Sequence, residues 1–277
     1  MTEAEWLACT DPTPMIRFLK LERRGSCRKL RLFGAACCRR VFRFVNDERT
    51  TQVVEAAEGY ADGWIGVTDL RAAHRSSCTL CEEHHSIPNP DSPRSVNVHA
   101  NLAVAANWVS ADDASFRTHD HMNGLVPGGY YATAAGYISG AACDAIFYGT
   151  YDGADAFELV VQRNVDRLPT SADHIWAVER EAQSGLLRCV VGNPFRPRPS
   201  IHSAWLAWKD GTVHRLAEVI YNERSLPDGH LDVTRLAVLA DALEDAGGPD
   251  PDLLAHRRQP GEHVRGCWVV DLLLGKE

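Results

Sequence analysis

The stretch SCRKLRLFGAACCRRVFRFV, from Ser26 to Val45, is the most strongly patterned part of the sequence and sets the fold class. Its apolar residues recur every three or four positions, which places them on one face of an α-helix. These apolar positions are Leu30, Phe33, Cys37, Val41 and Phe44. Ser26 is a suitable N-cap and Asn46-Asp47 a suitable stop, so the stretch predicts a core helix.

Four arginines of this helix fall mainly away from the apolar face, and they are Arg28, Arg31, Arg39 and Arg43. Residues 17–49 hold eleven basic and three acidic residues, a local charge of +8, which leaves −16 for the rest of a chain whose total is −8. We therefore expect a basic outer surface, with these arginines available to bind an acidic partner or a phosphate backbone. The alternative, which we favour, is that the basic surface docks on the protein's own acidic surface.

Helix start and stop signals recur along the rest of the chain. Thr2 and Glu5 have the spacing of a capping box for a short first helix, and the segments 231–246, 251–258 and 266–274 are predicted to be helical near the C-terminus. Proline-rich segments such as NPFRPRP, residues 193–199, interrupt the helices. Strand-like alternation is scarce. The sequence predicts an all-α, multi-helix globular bundle with irregular Pro-rich connections.

Domain organisation is predicted from where these signals change. We expect an N-terminal helical scaffold over residues 1–77 and a variable central region over 78–191, inserted or specialised for a separate role. Residues 192–277 are expected to form a C-terminal helical scaffold that packs with the N-terminal part.

Bulk composition is that of an ordinary globular protein, with 45% hydrophobic and 24% charged residues. The opening residues MTEAEW lack the basic and apolar regions of a signal peptide, and no apolar run reaches transmembrane length. Nine cysteines at irregular spacing do not resemble a disulfide scaffold. We expect a cytoplasmic protein that does not partner with a membrane.

A C-x2-C pair, Cys78 and Cys81, is the sharpest candidate for chemistry, because such a pair commonly supplies half of a tetrahedral zinc site. His74 and His85 share its helical face, yet the four positions span about 16 Å of helix and cannot all reach one ion. His119 and His121 in a polar loop are the obvious further donors. A zinc site of Cys78, Cys81, His119 and His121 is thus one hypothesis, and small apolar thiols on a buried helix face are the alternative.

His263 and Cys267 lie one helical turn apart if their segment is a continuous helix, but no residue that would orient a cysteine–histidine nucleophile can be named. The chain contains no nucleophile elbow, P-loop, dinucleotide fingerprint or HExxH motif. We therefore expect a protein that is not an enzyme.

The segments at the two ends of the chain carry a family resemblance. TEAEWLACTDPTPMIRFL and RKLRLFGAACCRR, together with HVRGCWVVDLLLGK, resemble the ends of a large uncharacterised bacterial family with no assigned activity. Where relatives in that family tend to have further cysteines, this chain has Ala35, Gly248 and Arg257. The resemblance therefore implies a structural role for the shared helices more than a shared metal cluster.

Three functions follow from these observations. The first is a cytoplasmic, non-enzymatic interaction or regulatory module whose partner is a protein. The second is a metal-binding protein with a zinc-type site, hydrolytic if one coordination position stays open. The third is a nucleic-acid-binding accessory protein that acts through the basic helix 26–45.

Overall fold

The structure is a computed structural model that describes residues 1–22, 24–43, 48–85, 106, 170–248, 250–258 and 261–276, without the side chains of 81–85 and 170–176. These residues form ten helices and no strand, apart from one antiparallel bridge between His230 and Val264. The predicted all-α fold is confirmed.

The helices are numbered in chain order. They are α1 (Glu3–Ala8), α2 (Pro12–Glu22), α3 (Cys27–Val41), α4 (Glu48–Ala61), α5 (Val67–His85), α6 (Thr170–Val191), α7 (Ser203–Asn222), α8 (Val233–Asp245), α9 (Pro251–Arg258) and α10 (Trp268–Leu273).

The chain divides into two compact units, with one boundary after Ala8 and the other within α6, after Ser184. The N-terminal unit comprises residues Cys9–Ser184, and the C-terminal unit comprises Met1–Ala8 together with Gly185–Glu277. The domain boundaries expected from the sequence, at 77 and 191, stay predictions.

Helix α3 lies largely in the core of the N-terminal unit. The Ser26 side chain accepts a hydrogen bond from the Lys29 backbone N–H at 3.1 Å, so the predicted N-cap is confirmed. Leu30, Phe33, Cys37 and Val41 are all buried, as the apolar pattern predicts, and α4 packs against the helix. The helix ends at Val41 rather than near Val45, and Phe44 lies outside the described residues.

The expected basic outer surface is wrong for two of the four arginines. Arg39 is 1% exposed and Arg31 is 6% exposed. Arg39 pairs with Glu58 of α4, and the Arg31 guanidinium lies over the Tyr60 ring at 5.2 Å. Carboxylate and aromatic partners on α4 make this burial tolerable, because a paired charge loses less on leaving water.

The remaining two predicted arginines differ from each other. Arg28 donates to Asp62 at 2.8 Å, whereas Arg43 is exposed. A third pair joins Arg40 to Glu179 at 2.8 Å. The alternative that we favoured, in which basic residues of this stretch dock on the protein's own carboxylates, is confirmed for Arg28, Arg39 and Arg40. Binding of nucleic acid or another acidic partner by the four arginines stays a prediction.

In the C-terminal unit, α7 packs against α8 and α10, and α9 packs against α8 and α10. The core is built from apolar side chains of these helices, among them Ile220, Leu239, Leu243 and Val269. A left-handed turn at Lys209–Gly211 bends α7.

Helix α1 belongs to the C-terminal unit. Its capping box is confirmed, since the Thr2 N–H donates to Glu5 Oε2 at 2.7 Å and the Glu5 N–H donates to Thr2 Oγ1 at 3.3 Å. Trp6 is fully buried, and its carbonyl accepts a hydrogen bond from Arg188 at 3.3 Å. These contacts attach the first residues of the chain to the end of α6.

None of the helices in the described ranges is both long and apolar enough to cross a membrane.

Candidate metal centre

Four side chains from distant parts of the sequence converge in the C-terminal unit. Cys189, His256, His263 and Cys267 each offer one ligand atom, and all four atoms lie within 4.8 Å of one another. Cys189, His263 and Cys267 are buried, and His256 is partly exposed. The group has the composition and size of a site for one metal ion.

The supporting elements explain how these side chains meet. Cys189 lies in the last turn of α6, and His256 lies in the last turn of α9. Cys267 is the N-cap residue of α10, after a turn closed by its own N–H donating to the Val264 carbonyl at 2.9 Å.

The backbone of His263 is held in place by a hydrogen bond. Its carbonyl accepts this bond from the Leu231 N–H at 2.8 Å, beside the His230–Val264 bridge. The segment from His263 to Cys267 is thus a turn rather than part of a continuous helix.

The distances between ligand atoms suit a tetrahedral ion. Cys267 Sγ lies 3.4 Å from His256 Nε2 and 3.9 Å from His263 Nδ1, and Cys189 Sγ lies 3.7 Å from His263 Nδ1. A tetrahedral Zn²⁺ with bonds of about 2.0–2.3 Å holds its ligand atoms about 3.3–3.8 Å apart. These three separations therefore need little adjustment to accept the ion.

Aromatic packing orients the two imidazoles. The rings of His256 and His263 meet edge to face, with centroids 4.9 Å apart at 86°. The ring centroids of Trp268 and His256 lie 5.4 Å apart, and Trp268 also has the atoms nearest to where a Cβ on Gly192, just after α6, would lie. The end of α6, the histidines and the start of α10 thus form one packed cluster.

The environment of Cys267 favours its thiolate. Burial acts to raise the pKa of this thiol, but a hydrogen bond from Cys189 and the adjacent His256 and His263 outweigh burial and hold the pKa well below its usual range. Thiolate is the form in which cysteine binds metals. Three neighbouring groups, Cys189, His256 and His263, therefore prepare this sulfur for a cation.

Arg257 places a buried guanidinium beside the centre. Its Nε donates to the Leu253 carbonyl at 3.0 Å and its Nη1 to the Leu239 carbonyl at 3.4 Å. Burial lowers the pKa of Arg257 to about 10, and the charge of Cys267 opposes that change. The guanidinium thus adds positive charge near the sulfur ligands.

Two thiols and two imidazoles form a ligand set typical of zinc, and four protein ligands complete a tetrahedron. Such a closed site has no open position for water or substrate, so it suits a structural role. The hydrolytic form of the metal hypothesis would need a fifth position or the loss of one ligand.

The ligands predicted from the sequence lie elsewhere. Cys78 is partly buried on α5, and its Sγ lies 3.8 Å from His74 Nε2, one helical turn earlier. His119 and His121 are outside the described residues, as is the side chain of Cys81. A zinc site built on Cys78, Cys81, His119 and His121 therefore stays a prediction.

Two of the four converging residues, His263 and Cys267, stand at a spacing that is conspicuous in the sequence. From the sequence, no residue could be named that would orient this pair. In the structure, His256 and Cys189 lie beside it. Cys189 is far away in sequence, so no local motif joins it to the others. The short spacing of His256, His263 and Cys267 in the sequence is the signal from which part of the site could have been predicted.

Comparison with known proteins adds no function. No protein-family model, curated protein or solved structure matches this chain. The resemblance seen in its terminal segments stays a prediction.

Proposed function

We propose that this chain is a zinc-binding protein in which Cys189, His256, His263 and Cys267 hold one structural Zn²⁺ ion. The observation that supports this proposal most strongly is that four zinc-type ligand atoms lie within 4.8 Å of one another. Their sources are α6, α9 and the turn before α10, so the ion would cross-link three elements of the C-terminal unit.

A core without metal is the competing explanation, because buried cysteines often act as small apolar residues. It accounts for the burial of Cys189 and Cys267 but not for the aim of both imidazoles at the sulfurs, at 3.4–3.9 Å. It also gives no reason why the surroundings of the buried Cys267 should favour a thiolate. The arrangement therefore supports a metal ion more strongly than apolar packing.

A two-iron cluster is less well supported than a single ion. In a cluster held by two cysteines and two histidines, the thiolates bind one iron and the imidazoles the other. Here Cys267 contacts both histidines, so sulfur and nitrogen ligands are interleaved. Interleaved ligands within such a short span suit one tetrahedral ion.

The role proposed for the ion is to stabilise the fold. Several ligands come from short or irregular elements, since α9 has eight residues, α10 has six and His263 lies between them. Short helices are marginal on their own, and metal-binding free energy adds directly to folding. Interaction with a protein partner stays a prediction, because the contacts described here identify none.

The test is metal content, measured by mass spectrometry on protein purified under reducing conditions without chelator. We expect one equivalent of zinc, absent from Cys267→Ser and His256→Ala. Cys27→Ser is the matched control, because Cys27 is an exposed cysteine in the other unit, and it should keep the metal.

Two results would contradict the proposal. Protein that takes up no zinc even after reconstitution would exclude the centre. Zinc that is lost in Cys78→Ser but kept in Cys267→Ser would assign the ion to the site predicted on α5 instead. Circular dichroism of each variant would show whether its helices remain.

A further inference from the structure

The two sulfurs of the centre lie within 4.8 Å of each other, although they come from α6 and from the start of α10. A disulfide requires a sulfur–sulfur distance of about 2.05 Å. The metal site therefore brings together two cysteines from different elements, and after release of the ion a movement of their side chains could bring the sulfurs into bonding range.

We infer that the centre is a redox switch, in which a hydroperoxide oxidises Cys189 and Cys267 to a disulfide and releases the metal. This inference rests on the proposed function, because it describes the regulation of the same site. The oxidant is identified by class, as hydrogen peroxide or a small organic hydroperoxide.

The chemistry balances in two steps. One thiolate attacks a peroxide oxygen, the O–O bond breaks and, with one proton, a sulfenic acid and water form. The second thiolate attacks the sulfenic sulfur, the S–S bond forms and hydroxide leaves, which takes up a second proton as water. Two thiolates are oxidised by two electrons, and one hydrogen peroxide is reduced to two water molecules.

Metal release follows from the ligand count. The disulfide leaves only His256 and His263 as donors, and two imidazoles without thiolate hold zinc far more weakly than four ligands do. The new covalent bond would still connect α6 to α10. The unit would thus exchange one cross-link for another. A thiol reductant would reverse the change, because it reduces the disulfide back to two thiolates.

The shortest approach to the buried sulfurs is from the histidine side. His256 is the partly exposed member of the group, and its Nε2 lies 3.4 Å from Cys267 Sγ. Hydrogen peroxide is little larger than water, so movement of this ring would give it a path to the Cys267 sulfur.

Selectivity within the chain has a physical basis as well. Cys38 in the core of α3 is fully buried, and burial raises its pKa to about 12, so it stays a thiol and reacts slowly with peroxide. Cys37 precedes it on the same helix and points about 100° away, which prevents easy pairing. Cys37 and Cys38 therefore do not compete with the centre for disulfide formation.

The experiment treats the full-length, zinc-loaded protein with hydrogen peroxide. A chromophoric chelator measures released zinc, and a non-reducing tryptic digest identifies the linkage. Trypsin gives Cys189–Lys209 and Gly266–Lys276, each with a single cysteine, so a linked pair of these peptides is unambiguous. We expect one zinc released per linked pair, and full rebinding of zinc after reduction with dithiothreitol.

Exposed Cys27 serves as the internal gauge of oxidant strength. Zinc retained at a peroxide dose that oxidises Cys27 would overturn the switch, as would release with sulfinic acids and no linked pair. A protein that holds no zinc before peroxide is added would instead contradict the proposed function. Cys189→Ala should give no linked pair, whereas Cys27→Ser should give the same linked pair as the unchanged chain.

Discussion

Arg39 and Glu58 show at the residue scale why a charged helix can lie in a core. The guanidinium donates from Nε to Oε1 at 2.7 Å and from Nη2 to Oε2 at 2.9 Å, and both side chains are 2% exposed. Two parallel hydrogen bonds give a planar, charge-assisted pair. Each charge depends on the other, because either one alone would be buried without compensation.

Removing one partner of this pair is expected to destabilise the N-terminal unit strongly. Glu58→Gln leaves the Arg39 cation without its counter-charge, and a broken buried pair typically costs about 3–5 kcal/mol. The free energy of unfolding from urea denaturation, followed by circular dichroism, measures the effect.

The exposed pair of Arg235 and Glu223, at 2.6 Å with side chains 39% and 61% exposed, is the matched control. Glu223→Gln should change the free energy of unfolding by about 0–1 kcal/mol, because water already solvates both charges. Equal effects of the two substitutions would show that the buried pair adds no more than a surface pair does.

At the scale of elements, the C-terminal end of α6 forms part of the metal centre. Gly192 follows the helix with φ +77°, and its N–H donates to the Arg188 carbonyl at 2.9 Å. A Cβ at this position would lie 3.1 Å from Trp268 Cγ. The Trp268 ring in turn packs on His256, so the glycine keeps room for the residue that orients a ligand.

Gly192→Ala is therefore expected to weaken both the fold and the centre. The left-handed backbone costs about 1 kcal/mol or more for a residue with Cβ, and displacement of Trp268 adds to it. Thermal unfolding and competitive zinc titration measure the two effects.

Gly247→Ala provides the control, because Gly247 has φ +82° and no atom within 4 Å of its Cβ position. We expect the same backbone cost there and an unchanged zinc affinity. Equal zinc affinities in the two variants would contradict the role given to Trp268.

At the scale of the whole molecule, metal removal should affect the two units differently. The proposed ligands all belong to the C-terminal unit, whereas α3 and α4 in the N-terminal unit are joined by their own buried ion pair. Metal binding to a folded site adds to stability, by about 2.7 kcal/mol when free metal is at 100 times the dissociation constant.

Hydrogen exchange with and without a chelator tests this expectation. Amide protection should fall in residues 185–191, 251–258 and 264–273 when zinc is removed, and should stay constant in α3 and α4. A uniform loss over both units, or no loss at all, would contradict the assignment of a structural ion to the C-terminal unit.

Local features of this protein were predictable where neighbours in the sequence determine them. The Ser26 cap, the buried face of α3 and the capping box of Thr2 and Glu5 depend on residues three or four positions apart, and all are confirmed. The segment 251–258 also forms the predicted helix, as α9. The solvent exposure of Arg31 and Arg39 was not predictable in this way, because it depends on α4.

The sequence alone therefore determined the helical class and several helix starts and faces, because hydrogen bonds and side-chain periodicity within a helix act over one or two turns. The metal centre was decided only by the tertiary structure. Its four ligands come from α6, α9 and the turn before α10, and only the packing of those elements brings their sulfurs and nitrogens within 4.8 Å. A C-x2-C pair is conspicuous because its residues are close in sequence, yet metal coordination requires proximity in space, which sequence spacing specifies only within a single element.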